Sequence, residues 1–217
     1  LREAAAEMLE CHPDDLVARD SVLTTRDGAR RMTFAEVTRK LGNVMIMGHG
    51  SRGPNPAGVG LASFGVQFAE VEVDVETGVV RVVRIVAAHD AGRVINPLLA
   101  GSQLEGGILQ GLGFALGEER RLDPVSGRPV NTALHDYKLP TFADVPVIDA
   151  FCIDAVDVTA NHVGARGLAE PPMIPTAAAI ANAVADALGA EVNELPLAPW
   201  RVLRAERADE RTSGLAD

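Results

Sequence analysis

Along residues 65–88 apolar and charged positions alternate, with Val71, Val73 and Val75 interleaved between Glu70, Glu72, Asp74 and Glu76. A period of two is that of a strand with one buried and one wetted face. Thr77-Gly78 breaks the pattern with a turn pair and Val79 to Val86 resumes it, so the segment is predicted to be a hairpin. From Leu98 to Glu119 the period lengthens. Leu99, Leu104, Ile108, Leu109, Leu112 and Leu116 fall at helical spacing, although Gly106, Gly107, Gly111 and Gly113 lie within the same run. Each glycine costs a helix about 1 kcal/mol relative to alanine. Their presence points to close approach of another backbone or of a ligand, and close helix packing explains Gly106 and Gly107 equally well. Ile148 to Val158 is predicted as a further strand, and the alanine-rich run Met173 to Leu188 as a buried helix.

The first sixty residues read differently. Arg2 to Cys11 has the spacing of a helix end, broken by His12-Pro13-Asp14-Asp15, and Leu16 to Arg31 reads as short strands around the Arg26-Asp27-Gly28 turn. Thr33 is positioned to cap a helix over Phe34 to Leu41, with Glu36 completing a capping box. Residues 42–60 are rich in glycine and proline and read as a mobile connection. The charged tail after Arg204 is expected to be loose. Hairpins interleaved with separate helices give an α+β fold with hairpin-containing mixed sheets and packed helices, not a parallel doubly wound sheet. The expected organisation is 1–60 as a helix, strand and connection segment, 61–205 as the main region, and 206–217 as tail.

With 217 residues, 47% of them apolar, the chain can bury a sizeable core. A net charge of -10 with dispersed acidic residues argues against a nucleic-acid surface. Cys11 and Cys152 cannot make a disulfide framework and lack the close pairing of a zinc or iron–sulfur motif. No run of eighteen apolar residues occurs and the start is charged, so cytoplasm is the expected compartment. The first residue is Leu, consistent with a fragment, a processed subunit or an unusual start. Dinucleotide-binding, P-loop and serine-elbow motifs are all missing. His12, His49, His89, His135 and His162 are scattered, without a His-x-x-x-His pair, so no protein-ligated metal site is expected. His89 beside Asp90, and His49 near Ser51, lack the strained serine turn that a hydrolytic triad needs.

The densest candidate chemistry is Gly164-Ala165-Arg166-Gly167-Leu168-Ala169-Glu170-Pro171-Pro172, one carboxylate on a glycine-rich loop before the expected helix. A carboxylate at a helix start is ordinarily held by the first N–H groups, but Pro171 and Pro172 have none to offer. Two readings stand: an ordinary acidic residue at a helix start, or a base whose oxygens stay free. Arg166 likewise reads either as a solvated arginine or as a group steering an anionic or carbonyl-bearing substrate.

This nonapeptide resembles the C-terminal active-site signature of the xanthine dehydrogenase and aldehyde oxidase family, Gly-x-(Lys/Arg)-Gly-x-(Gly/Ala)-Glu-Pro-Pro. His89-Asp90-Ala91-Gly92-Arg93-Val94-Ile95-Asn96-Pro97 and Gln103-Leu104-Glu105-Gly106-Gly107-Ile108-Leu109-Gln110-Gly111 resemble the family's Asp-x-Gly, Asn-Pro, Gln-x-Glu-Gly and Gln-Gly blocks, in the family's order. Tyr137-Lys138-Leu139-Pro140-Thr141 resembles a fourth. The likeness runs from about Gly50 to about Leu203 and covers a minor part of a usual large subunit.

The resemblance implies a molybdopterin-binding C-terminal region over 61–205 and a molybdenum–pterin cofactor, the cytosine dinucleotide form being one option. It implies oxidation of an aldehyde or N-heterocyclic, purine-like substrate with water-derived oxygen. By motif position Glu170 matches the catalytic glutamate that accepts a proton, and Gln103 the glutamine that bonds the pterin, the other reading of Gln103 being a residue near a helix start that caps its own backbone. Gly106, Gly107 and Gly167 fall at positions where backbone approaches the cofactor; for Gly167 a simple turn glycine is the other reading. The family's upstream Gly-Gly-x-Phe-Gly-like loop and Phe-Arg-Gly-like segment are absent, and iron–sulfur and flavin motifs are absent too. Partner chains are therefore implied: the rest of the molybdenum subunit, an iron–sulfur subunit and an FAD subunit. The competing expectation is a non-catalytic assembly module or an incomplete fragment of such a subunit.

Overall fold

Alternation becomes strand pairing in the computed structural model, which describes residues 1–51, 53–55 and 57–213. These divide into two units, Leu1–Gly53 and Pro54–Asp217. In the first, β1 (Leu16–Arg19), β2 (Val22–Thr25) and β3 (Arg31–Thr33) form an antiparallel meander with α1 (Arg2–Met8) and α2 (Phe34–Leu41). Asp27 closes the β2–β3 turn by accepting from the Thr25 hydroxyl and the Ala29 amide, and Gly28 takes φ 74°. The capping box is present: Thr33 Oγ1 accepts from the Glu36 amide at 3.1 Å, and Glu36 Oε2 accepts from the Thr33 amide at 2.8 Å. Ala5, Ala6, Leu16, Leu23, Met32 and Val37 form its buried core.

The second unit is built on a mixed sheet ordered β4-β5-β6. β4 (Phe64–Val73) and β5 (Val80–Asp90) form the expected hairpin, and β6 (Val147–Ile153) lies parallel to β5. Parallel pairing needs a crossover, and α3 (Pro97–Leu116) lies in it. Asn96 caps α3 by accepting from the Leu99 amide at 3.1 Å, and Pro97 stands at the first helical position, where it needs no N–H. α4 (Thr176–Leu188) packs on β4, while α3 packs on α4 and β6. Val82, Ile85 and Ala87 of β5 meet Ile108, Leu112, Ile180 and Val184 of the helices in one core. Leu197 and Val202 of the α5 region (Pro199–Ser213) join it.

Several expectations shift. The strand expected to reach Val158 stops at Ile153. α4 starts at Thr176, not Met173, because the residue preceding a proline is driven away from helical backbone and Pro175 follows Ile174. The chain after Arg204, expected to be loose, is helical as far as Ser213; residues 214–217 lie outside the described residues. The wetted hairpin face is polar only near its turn, at Glu70, Glu72, Arg81 and Arg84, whereas Phe64, Val66 and Phe68 stand exposed at the far end. Among the described residues no helix is long and apolar enough to cross a membrane.

The helix glycines divide by surroundings. A Cβ at Gly111 would lie 2.4 Å from Thr176 Cβ, and one at Gly107 would lie 2.7 Å from Pro172 Cβ, whereas Gly101 and Gly106 face open space. Gly111→Ala is therefore expected to destabilise the unit by about 1–3 kcal/mol through overpacking. Gly101→Ala, on the same helix, should stabilise it by about 0.5–1 kcal/mol. Urea unfolding of the two variants checks the contrast.

Candidate functional site

The loop over 164–172 is tied to the end of β5 by backbone. Gly92 and Ala165 form an isolated bridge, the Arg93 amide donates to Gly164 O at 2.7 Å, and the Arg166 amide donates to Ala91 O at 2.7 Å. Gly92 takes φ 66°, and a Cβ there would stand 2.3 Å from Gly164 O, so the Asp-x-Gly block requires its glycine for clearance as well as conformation. Asn161 organises the approach, accepting on Oδ1 from the Gly164 amide at 2.8 Å and donating from Nδ2 to Ala165 O at 2.7 Å.

Arg166 is not a solvated arginine. Its side chain is 14% exposed and pairs with Asp90, itself 8% exposed. It also donates to Ala62 O and lies 3.8 Å from Asp157. The Thr159 hydroxyl, helped by the Arg166 charge, holds the Asp157 carboxyl below the ordinary aspartate range. Asp90 also accepts from the Gly92 amide at 2.9 Å, so one carboxylate joins the strand end, the glycine turn and the loop.

Beyond Arg166 the loop is held mainly through carbonyl oxygens. Ser63 Oγ donates to Gly167 O at 2.8 Å, and Gln103 Nε2 donates to Ala169 O at 3.4 Å. Pro172 O receives Gln67 Nε2 at 2.6 Å and lies 2.9 Å from the Thr176 hydroxyl, whose single proton is shared between Pro172 O and Gln67 Oε1. Glu170 is exposed, and among the described residues its carboxylate makes no hydrogen bond or ion pair; its own carbonyl accepts from the Met173 amide at 3.0 Å. The expected placement at a helix start is corrected, since a turn over 171–175 separates Glu170 from α4.

Of the candidate residues, the fold brings Gln103 and Gly107 of α3 onto the loop carrying Glu170 and Gly167. Gly107 is buried, and the space its side chain would fill holds the Pro172 ring, so its contact is helix against loop. Gly106 and Gly167 face open space. Gly106 also lines an apolar groove of about 400 Å³ with Leu109, Leu139, Pro140, Phe142 and Val145.

Two buried polar residues, Gln67 and Thr176, escaped the sequence reading, and a third, His89, was read there only as lacking a metal or triad partner. Gln67 on β4, His89 on β5 and Thr176 on α4 meet beneath Pro172, with Gln67 Nε2 3.1 Å from His89 Nε2 and Thr176 Oγ1 donating to Gln67 Oε1 at 2.7 Å. One signal for them was present: Gln67 occupies the inward parity of β4, shared with Ala69, Val71 and Val73. A polar residue at such a position needs a partner.

The donor set fits a planar heterocyclic cofactor. Gln103 spends one N–H on the loop and keeps an amide oxygen and a second N–H exposed, while Gly106 and Gly167 leave open surface beside it. Among the described residues no group of three or more His, Cys, Asp or Glu side chains could hold a metal ion.

The family model for the molybdopterin cofactor-binding domain matches residues 1–146. The chain belongs to this family. The match takes in the first unit, which the motif resemblance beginning near Gly50 did not reach, and ends before the loop over 164–172. A xanthine dehydrogenase molybdenum-binding subunit of Escherichia coli O157:H7 is 42% identical over 140 residues, covering 64% of this chain and 18% of the relative. Subunit gamma of the 6-hydroxypseudooxynicotine dehydrogenase complex of Paenarthrobacter nicotinovorans is 32% identical over 220 residues, covering 93% of this chain and 26% of that one. The chain thus spans about a quarter or less of the length of these relatives. Quinoline 2-oxidoreductase from Pseudomonas putida 86 superposes with a TM-score of 0.75 at 28% identity, over 95% of this chain and 27% of that one. The α+β reading therefore stands, with the fold of a molybdopterin-binding domain.

Removing one partner of a buried ion pair leaves an uncompensated charge. Asp90→Asn keeps an acceptor for Gly92 but takes from Arg166 its nearer counter-charge, leaving only Asp157, and is expected to cost about 3 kcal/mol in chemical denaturation. Burial lowers the His89 pKa from its ordinary 6.5. The unfolded chain then binds more protons than the folded one below that value, so the stability from the neutral ring is present above it and lost as pH falls toward the lowered folded pKa. Unfolding free energy should therefore fall more steeply between about pH 7 and about pH 5 in the wild type than in His89→Gln.

Proposed function

We propose that this chain supplies the catalytic base and part of the pterin site of a molybdenum hydroxylase that oxidises an aldehyde or N-heterocyclic substrate with water-derived oxygen. The observation that carries this reading is Glu170: an exposed carboxylate without a polar partner among the described residues, on a loop pinned on both sides of it. A general base needs those properties together, free lone pairs and a fixed position. The molybdenum–pterin group, when bound, supplies the two-electron redox chemistry.

Within that scheme Glu170 accepts a proton on a carboxylate oxygen during the oxidation. Gln103, with a free amide oxygen and N–H, holds the pterin edge, while Gly106 and Gly167 let backbone stand close to it. Arg166 touches no substrate in this scheme; its pairing with Asp90 keeps the loop at the strand end. The electrons need an outlet that Cys11 and Cys152, unpaired and far apart in sequence, do not provide. The proposal therefore includes iron–sulfur and FAD partner chains and the remainder of the molybdenum subunit.

Glu170→Gln in the assembled complex is expected to lower turnover by about a hundredfold or more while molybdenum content stays at the wild-type level. Near-full turnover in that variant would overturn the assignment. Isolation of the tagged chain with no partner and no molybdenum would favour the assembly-module reading instead.

A further inference from the structure

We propose that Gln67, His89 and Thr176 are positioning residues for Glu170, acting through the carbonyl of Pro172. The inference rests on Glu170 being the proton acceptor. All three side chains are buried, and they come from β4, β5 and α4. Their hydrogen bonds assign one another. Pro172 O is only an acceptor, so the Gln67 atom 2.6 Å away is its amide nitrogen. The second N–H of that amide points at His89 Nε2, 3.1 Å away, which must then be the unprotonated nitrogen, with the ring proton on Nδ1. Gln67 Oε1 is left to accept the Thr176 hydroxyl at 2.7 Å. Turning the amide over would set its oxygen against the Pro172 carbonyl, so that carbonyl fixes which way Gln67 faces, and His89 answers with the tautomer that accepts on Nε2.

The histidine is held in turn by a missing side chain. A Cβ at Gly65 would stand 2.0 Å from His89 Nδ1, a buried nitrogen with no hydrogen-bond partner. From Pro172 back to Glu170 the chain is stiff. Pro171 and Pro172 have φ locked by their rings, and the Met173 amide closes the turn onto Glu170 O. A shift of the Pro172 carbonyl is thus carried to the Glu170 backbone with little loss. Gln103 holds Ala169 O on the other side, and Glu170 lies between the two clamps.

The test uses the assembled, molybdenum-loaded complex carrying Thr176→Val, Thr176→Ser, Gln67→Met or Gly65→Ala. Thr176→Val is expected to lower kcat by about ten- to a hundredfold, with KM and molybdenum content within about twofold of wild type. It should also speed amide exchange in the peptide over residues 164–173. Thr176→Ser should restore both readouts. Gly65→Ala, which removes none of the three polar groups but drives a Cβ into the His89 ring, should reproduce the loss, and Gln67→Met should do so wherever Thr176→Val fails to assemble. Unchanged kcat and unchanged exchange in the fully loaded variants overturn the proposal. So does a rate loss that merely follows lost molybdenum and is not rescued by serine. Glu170→Gln run alongside separates the two claims: full activity there removes the base and the clamp's purpose together, whereas inactivity there with Thr176→Val at full rate removes the clamp alone.

Discussion

The hydrogen bonds made to the carbonyl oxygens of the loop over 164–172 are what the rest of the site depends on. A carboxylate presented to solvent for chemistry cannot also anchor the segment that carries it. Side chains from elsewhere in the fold do the anchoring, with Asn161 at Ala165, Ser63 at Gly167, Gln103 at Ala169, and Gln67 with Thr176 at Pro172. Backbone carbonyls suit this role, since each keeps a lone pair available where no helix or sheet claims it. The charged ties, from Arg166 to Asp90 and more loosely to Asp157, lie at the start of the loop.

Glycine provides the room. α3 approaches the loop and α4 because Gly107 leaves space for the Pro172 ring and Gly111 for the Thr176 side chain. The same face of α3 delivers Gln103 to Ala169. One helix surface therefore packs the core through Leu104, Ile108 and Leu112 and seats the loop through its glycines. Asp90-Ala91-Gly92 works similarly, with Gly92 clearing the way for Gly164 and Asp90 gripping Arg166.

Much of this was legible in the chain. The β4–β5 hairpin followed from strict alternation, α3 from its leucine spacing, and the cap of α2 from Thr33 and Glu36, because each depends on residues close together in sequence. Boundaries set by proline were harder: Pro175 delays α4 to Thr176, a local effect outweighed in the reading by the apolar run beginning at Met173. The motif resemblance brought Gln103, Gly107 and the Glu170 loop to attention, whereas the reading of Arg166 as solvated was overturned by its buried pairing with Asp90. Its partner Asp90 lies on another element, and no pattern within the nonapeptide reveals it. His89 and Gln67 were opaque for the same reason. Sheet register places them in contact, and a short-range reading has no access to register.

That dependence on distant partners also orders events in time. The bonds to Pro172 and Gly167 close over 105 and 104 residues, and the Gln67–Thr176 bond over 109. Contacts of such separation carry the largest loop-closure entropy, and their formation waits on the elements that frame them. The hairpin and α3 can form early. The loop acquires its final shape only after α4 has settled on β4, because Gln67 and Thr176 come from those two elements. The surface around Glu170 is therefore among the last parts of the molecule to be completed during folding, and during synthesis it cannot exist until the ribosome has released α4.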